Sequence, residues 1–147
     1  MKASFAIYLI LVFFLGLCAC RHPLFSKNYR DKLGRRQGRW KVYYDSGNKH
    51  LYYKGRYVNG QPRGNTKYYY QDGRILEIEK ARGNIIETTF YYPGGATQLH
   101  GSAQWILQGD SLTYHWIGPW EKYDSTGKLV EVQTYRNGKM IWRQPVK

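Results

Sequence analysis

Two acidic residues, Glu77 and Glu79, stand two positions apart in a segment with the pattern of a β-strand, which places them on the same side of that strand. Paired carboxylates are the groups that many glycosidases use. Because Lys80 and Arg82 follow closely, we interpret the segment instead as a charged face exposed to solvent. The four histidines are scattered, and no spacing gathers two of them beside a carboxylate. The sequence therefore predicts a protein that is not an enzyme and that uses no metal or cofactor.

The two cysteines lie at the end of an uncharged run that begins at Ala3 and has the form of a signal peptide. This run is shorter than the ~20 apolar residues that comfortably span a bilayer. The quartet Leu17-Cys18-Ala19-Cys20 resembles a bacterial lipobox, with a Leu three residues before the cysteine and a small residue directly before it. The resemblance implies that residues 1–19 are removed and that Cys20 carries acyl chains. A retained membrane helix is the alternative.

Residues 20–33 connect this predicted anchor to the rest of the chain. They show no sustained hydrophobic period, and we interpret them as a lipidated cysteine followed by a tether. The cations of the tether are suited to anionic lipid headgroups, each contributing about 1 kcal/mol near such a surface. A merely solvated linker explains the same composition.

Residues 34–147 contain a repeating pattern of glycine and tyrosine. Gly34, Gly38, Tyr44 and Gly47 recur 26 residues later as Gly60, Gly64, Tyr70 and Gly73. A third, degenerate copy includes Thr88 to Gly95, and a fourth spans Gly118 to Gly127, where the pattern of alternation breaks and indicates a β-bulge or a slipped register. Second turns are expected at Asn59-Gly60, Arg82-Gly83-Asn84, Gln108-Gly109-Asp110 and Asn137-Gly138. Two turns per repeat mean one β-hairpin per repeat, with glycine expected at positive φ in the turns, Gly47 and Gly73 among them. The sequence predicts an all-β, elongated meander of stacked hairpins.

Alternation within each hairpin predicts which side chains are buried. In the first repeat Trp40, Val42 and Tyr44 share one face, and Arg39, Lys41 and Tyr43 share the other. The equivalent buried stripe contains Thr66, Tyr68 and Tyr70 in the second repeat and Thr88, Phe90 and Tyr92 in the third. One hairpin alone cannot bury such a stripe, so neighbouring hairpins must stack.

The unit Gly-x3-Gly-x-Trp/Thr-x3-Tyr-x2-Gly, followed by Tyr-x-Asn-Gly at Tyr57–Gly60 and Tyr135–Gly138, resembles the MORN-repeat variant of bacterial proteins. Many members of that group are described as antitoxin components, and many others are small lipoproteins. The resemblance implies a scaffold or membrane-proximal binding surface and transfers no catalytic residue. It is close over Gly34 to Gly73 and looser toward Gly138.

The chain has 147 residues, a length that is enough for one ordinary domain. Its net charge of +13 favours an anionic partner. Basic and aromatic residues concentrate in the first two repeats, where Lys49, Tyr52 and Lys54 also lie. The predicted binding residues are Arg35, Arg36, Arg39, Lys41, Tyr43, Arg56, Arg63, Lys67 and Tyr69. Protection of exposed sheet edges by cations explains the same enrichment without a ligand.

These observations lead to one functional expectation and one alternative. We expect a non-enzymatic, lipid-anchored binding or scaffold protein of the bacterial cell envelope, facing the periplasm from the outer membrane. Its expected partner is an acidic protein, a lipid headgroup or a cell-wall glycan, and nucleic acid is disfavoured if the chain is exported. The alternative is an antitoxin-like cytoplasmic protein that binds a toxin or nucleic acid.

Overall fold

The computed structural model describes residues 28–108 and 111–147, which form one open antiparallel sheet of eleven strands. The predicted all-β meander of hairpins is confirmed. Within the described ranges no helix is long and apolar enough to cross a membrane. The predicted signal peptide and Cys20 lie outside the described residues.

The strands follow one another along the chain and are joined mostly by short turns. Their bounds are β1 Tyr29–Arg30, β2 Arg36–Tyr43, β3 Leu51–Val58, β4 Gln61–Pro62, β5 Gly64–Tyr69, β6 Ile75–Arg82, β7 Ile85–Tyr91, β8 Thr97–Gln108, β9 Ser111–Tyr123, β10 Leu129–Arg136 and β11 Lys139–Pro145. The order across the sheet is the order along the chain, except that the two-residue β4 pairs with β3 beside the main path. Strand β1 lies within the segment interpreted as a tether, and its Tyr29 pairs with Gln37.

The turns follow two recurring designs. At Asn59-Gly60 and Asn137-Gly138 both residues have positive φ, as a two-residue type I′ hairpin requires. At the opposite end of the hairpins the glycine of a three-residue loop takes positive φ, for example 85° at Gly73. The strand register shifts by one residue next to this loop, between Tyr68 and Tyr69, which is a β-bulge.

The expectation of positive φ at Gly47 is wrong. The first hairpin loop is closed by a hydrogen bond from the Tyr44 N–H to the His50 carbonyl oxygen, whereas the corresponding bond in the second repeat joins Tyr70 and Arg74. The first loop is therefore longer, and Asn48, with φ of 55°, takes the left-handed position. Asparagine tolerates this conformation better than most residues.

A tyrosine hydroxyl connects each of the first three repeats to the next. The hydroxyl of Tyr44 donates to the Tyr69 carbonyl oxygen at 2.8 Å, that of Tyr70 donates to Tyr91 at 2.9 Å, and that of Tyr92 donates to Tyr123 at 3.0 Å. These bonds explain why Tyr recurs at this position of the motif. They make the stability of one hairpin depend on its neighbour, as in other repeat proteins.

One face of the sheet, which we call the inner face, carries the buried side chains. Its first cluster contains Trp40, Tyr53 and Tyr57, and its second contains Ile86, Ala103 and Trp120. The predicted stripes of the first three repeats are confirmed at Trp40, Thr66 and Thr88, which are buried on this face. Tyr44 was wrongly predicted to be buried: it is 43% exposed, because it lies beyond the end of β2. The bulge predicted in the fourth repeat lies at Gly118-Pro119, where β9 has two residues more than the facing part of β8.

Gly101 permits the closest packing on the inner face. It lies opposite Trp120 in the β8–β9 register, and Trp120 is fully buried. A Cβ atom at Gly101 would stand 2.3 Å from Cδ2 of Trp120. The indole N–H donates to the Ser102 carbonyl oxygen at 3.0 Å, so hydrogen bonding and packing fix the ring over the glycine.

The different backbone conformations of Gly73 and Gly47 lead to a paired prediction. Gly73→Ala should lower the free energy of unfolding by about 1–2 kcal/mol, because an L-residue is strained at positive φ while the new Cβ meets nothing within 4 Å. Gly47→Ala should lower it by less than Gly73→Ala does, since that site has no positive φ and the new Cβ, 3.2 Å from Oδ1 of Asp45, requires only a small shift of that side chain. Urea unfolding of both variants measures the difference, and equal losses would contradict the assigned turns.

Candidate functional site

The face of the sheet opposite the inner face, which we call the outer face, gathers cations on its first strands. Arg39 of β2 lies directly opposite Arg56 of β3, and Lys41 lies opposite Lys54. Lys54 in turn lies opposite Lys67 of β5. Because neighbouring strands are about 4.8 Å apart, Lys41, Lys54 and Lys67 form a row across three strands. We call these five residues the basic patch.

The basic patch is electrostatically unfavourable for the isolated chain. Like charges directly opposite one another destabilise a β-sheet. Among the described residues, no carboxylate lies within 4.0 Å of any of the five cations. The aromatic ring of Tyr69 offers partial compensation, with the Lys54 ammonium 5.3 Å from its centroid. The arrangement is suited to a partner that supplies several negative charges at once.

The structure brings together only part of the predicted binding set. Arg39, Lys41, Arg56 and Lys67 belong to the basic patch, which Tyr43 and Tyr69 flank. Arg63 is exposed beside this group, and its N–H donates to the Arg56 carbonyl oxygen.

Two predicted residues, Arg35 and Arg36, lie elsewhere. Arg36 has the same strand parity as Trp40 and extends over the inner face, so its assignment to the cluster of Arg39 and Lys41 is wrong. Arg35 is paired with Asp31 at 2.8 Å beside the inner face. Tyr52, expected among the cations, packs instead against Tyr44 with ring centroids 4.9 Å apart.

A second candidate site is a cleft of about 610 Å³ on the inner face, which we call the inner cleft. Arg36 of β2 and Tyr114 of β9 both line it. These strands are six positions apart in the sheet, roughly 30 Å if the sheet were flat. The sheet therefore curls around the cleft. The volume falls within the ~300–1,000 Å³ typical of small-molecule sites.

Arg36 forms one wall of the inner cleft. Its guanidinium carbon lies 5.0 Å from the ring centroid of Trp40, 5.2 Å from that of Tyr57 and 5.9 Å from that of Tyr53. Cation–π contacts of this kind hold an arginine in place without a carboxylate. In the part of the chain that the structure describes, no acidic group lies within 4.0 Å of Arg36. The N–H donors of the Arg36 guanidinium are therefore available to bind an anion.

Glu79 lies at the floor of the inner cleft. Its carboxylate accepts a hydrogen bond of 3.1 Å from the Tyr68 hydroxyl. Tyr114 also contacts this carboxylate, and its hydroxyl is 3.1 Å from that of Thr88. Burial raises the pKa of Glu79, although the hydrogen bonds from Tyr68 and Tyr114 oppose the rise. Burial also raises the pKa of the Tyr68 hydroxyl, which keeps it protonated as a donor.

The interpretation of Glu77 and Glu79 as a solvent-exposed charged face is wrong. Both are half-buried on the inner face, where Glu77 lies opposite Tyr68 and Phe90. Burial, followed by the nearby Glu79, raises the pKa of Glu77 to about 8. Lys80 is exposed on the outer face because successive residues of a strand alternate sides. The neighbouring cation therefore does not neutralise the two carboxylates, and strand parity was the signal that could have shown this.

The described ranges contain no group of three or more His, Cys, Asp or Glu side chains placed to hold a metal ion. Comparisons with known proteins add no further evidence: no family model matches the chain, and neither a curated protein nor a solved structure shows significant similarity to it. The resemblance to MORN repeats stays a prediction from the repeat motif.

Glu77 should make stability depend on pH. Its ordinary pKa of 4.5 applies to the unfolded chain, whereas the folded value is about 8. Between these values the folded protein retains a proton that the unfolded chain has released, so this contribution to the free energy of unfolding decreases as the pH rises from 4.5 to 8. In Glu77→Gln this contribution is absent.

Urea unfolding at several pH values across this window measures the slope for the wild type and Glu77→Gln. The control is Glu87→Gln, which removes a carboxylate from the outer face and should keep the wild-type slope. If the wild type and Glu77→Gln had parallel pH profiles, the raised pKa would be refuted.

Proposed function

We propose that this protein is a non-enzymatic β-repeat binding or scaffold protein whose outer face recognises an acidic partner. The observation that carries the proposal is the row Lys41, Lys54 and Lys67 beside the opposed pair Arg39 and Arg56. A sheet that needed only protected edges would place lysines on its outermost strands. Here the cations lie on β2, β3 and β5, and β3 and β5 are internal to the sheet. Binding explains their position better than edge protection does.

The spacing of the cations defines the chemistry of the partner. Cations carried on backbone positions about 4.8 Å apart across the strands and about 6.8 Å apart along them match closely spaced carboxylates or phosphates on a polymer or a surface. An acidic protein, anionic lipid headgroups and a cell-wall glycan share this chemistry. We propose that the chain reaches such partners in the bacterial cell envelope through acyl chains on Cys20. An antitoxin-like protein would instead find a toxin or nucleic acid with the same face in the cytoplasm.

The curled shape of the sheet also suits a scaffold. The inner face is covered by its own aromatic side chains, so the outer face is free to contact a partner without disturbing the core. The hydrogen bonds from tyrosine hydroxyls between repeats keep β2, β3 and β5 in register. A partner with several charges then meets a preformed surface, which reduces the entropy lost on binding.

Charge reversal on the basic patch tests the proposal. The variant Arg39→Glu, Lys41→Glu, Lys67→Glu should lose the acidic partner in a pull-down from detergent-solubilised envelopes, and wild-type binding should weaken as salt shortens the Debye length from about 10 Å at 0.1 M toward 3 Å at 1 M. Because the substitutions replace like-charge cross-strand pairs with opposite-charge pairs, the variant should unfold at a urea concentration equal to or higher than that of the wild type.

A matched control separates the patch from net charge. The variant Lys128→Glu, Lys139→Glu, Arg143→Glu changes the net charge by the same amount at exposed positions on or near β10 and β11. It should recover the partner as well as the wild type does. Equal loss in both triple variants would mean that only total charge matters, and equal recovery by all three proteins would refute the patch. The captured molecule, whether protein, lipid, glycan or nucleic acid, distinguishes the envelope role from the antitoxin-like one.

A further inference from the structure

The inner cleft has features that binding on the outer face does not explain. Arg36 and Arg30 both lie over the ring of Trp40, at 5.0 Å and 5.2 Å from its centroid, and both line the cleft. Arg35 at the same end is neutralised by Asp31, whereas Arg36 has no carboxylate within 4.0 Å among the described residues. This end of the cleft therefore has unbalanced positive charge.

Arginine in this setting is suited to one kind of group. The planar guanidinium presents its donors in a fixed fork that matches a carboxylate or a phosphate, and stacking on aromatic rings holds the fork in place before a ligand arrives. Contact with three rings restricts the Arg36 side chain, so less conformational entropy is lost when it binds. We therefore assign the anionic end of a ligand to Arg36.

The rest of the cleft is suited to hydroxyl groups. Glu79 offers carboxylate oxygens held by Tyr68, and Tyr114 adds a hydroxyl. The indole N–H of Trp105, which also lines the cleft, is buried and has no acceptor within the described ranges. A purely apolar acid would leave the Trp105 N–H unpaired and would offer no donor to the remaining lone pairs of the Glu79 carboxylate, which costs free energy. A ligand with several hydroxyls would pair with them.

Aromatic rings supply the remaining contacts. Tyr57, Trp105 and Tyr114 line the cleft, and the rings of Trp105 and Tyr114 meet edge to face at 5.1 Å. Flat aromatic surfaces beside hydrogen-bonding groups complement the mixed apolar and polar faces of a sugar ring. We propose that the inner cleft binds a small saccharide bearing a carboxylate or a phosphate, with the anion on Arg36 and the hydroxyls on Glu79 and Trp105. This proposal does not depend on the outer face.

Isothermal titration calorimetry with the full-length, detergent-solubilised protein tests the proposal. The probes are glucuronate and glucose 6-phosphate, compared with uncharged glucose, with phenylacetate, which has the charge but no hydroxyls, and with the zwitterion phenylalanine. At least one of the two acidic sugars should bind saturably, and the three comparison compounds should bind about tenfold more weakly or worse. Saturable binding of neither acidic sugar, or stronger binding of any comparison compound, would overturn the proposal.

Variants locate the binding. Arg36→Gln should weaken acidic-sugar binding about tenfold or more, and Arg36→Lys should weaken it less, because it keeps the charge but not the fork. Glu79→Gln, which removes a carboxylate at nearly constant shape, should also weaken binding and provides the test if Arg36→Gln fails to fold. Arg143→Gln is the matched control, because Arg143 is exposed on β11 and belongs to neither the cleft nor the basic patch, and it should bind as the wild type does. Wild-type affinity in Arg36→Lys and Glu79→Gln together would refute this cleft as the site.

Discussion

The constraint on which this structure depends is that a single sheet has no second layer to cover it. Most sheets bury one face against helices or another sheet. Here the inner face is covered by its own long aromatic side chains, and the sheet curls to bring them together. Trp120 can lie flat against β8 only because Gly101 has no side chain. Trp116 then stacks on Trp120 with ring centroids 3.9 Å apart, and Tyr135 packs edge-on against both.

The first and fourth repeats cover the inner face with similar aromatic clusters, which differ in the group that packs against the tryptophan. Trp40 and Tyr57 pack edge to face in the first repeat, as Trp120 and Tyr135 do in the fourth. The third partner in the fourth repeat is the ring of Trp116, whereas in the first it is the guanidinium of Arg36. Because Arg36 takes the place that Trp116 has in the fourth repeat, the cluster around Trp40 is open toward the inner cleft. The same packing problem thus produces a closed core at one end of the sheet and a candidate anion site at the other, while alternation sends Arg39 and Lys41 to the outer face.

The hairpin architecture could be predicted from the sequence because its signals are local. Asn59-Gly60 and Asn137-Gly138 are strong turn signals, and the alternation of Trp40 and Val42 with Arg39 and Lys41 identifies the buried face. The prediction of positive φ at Gly47 fails because the first loop is longer than the motif indicates, and the longer loop places Asn48 in the left-handed conformation. The inner cleft was not predictable, since it joins β2 to β9 through curvature that depends on packing across the whole sheet. Glu79 and Arg36 lie on the inner face because strand alternation, and not the charge of their sequence neighbours, decides which face a side chain occupies.

The central claim of this account is that aromatic rings packed directly on glycine cover the inner face. The most direct measurement is the free energy of unfolding of Gly101→Ala, with Gly94→Ala as the control, since a Cβ at Gly94 meets nothing within 4 Å. The account predicts a loss of about 1–3 kcal/mol or more for Gly101→Ala, because the new methyl group would displace Trp120. It predicts a change within about 0.5 kcal/mol for Gly94→Ala. Equal stability of the two variants would contradict the claim that the sheet covers itself in this way.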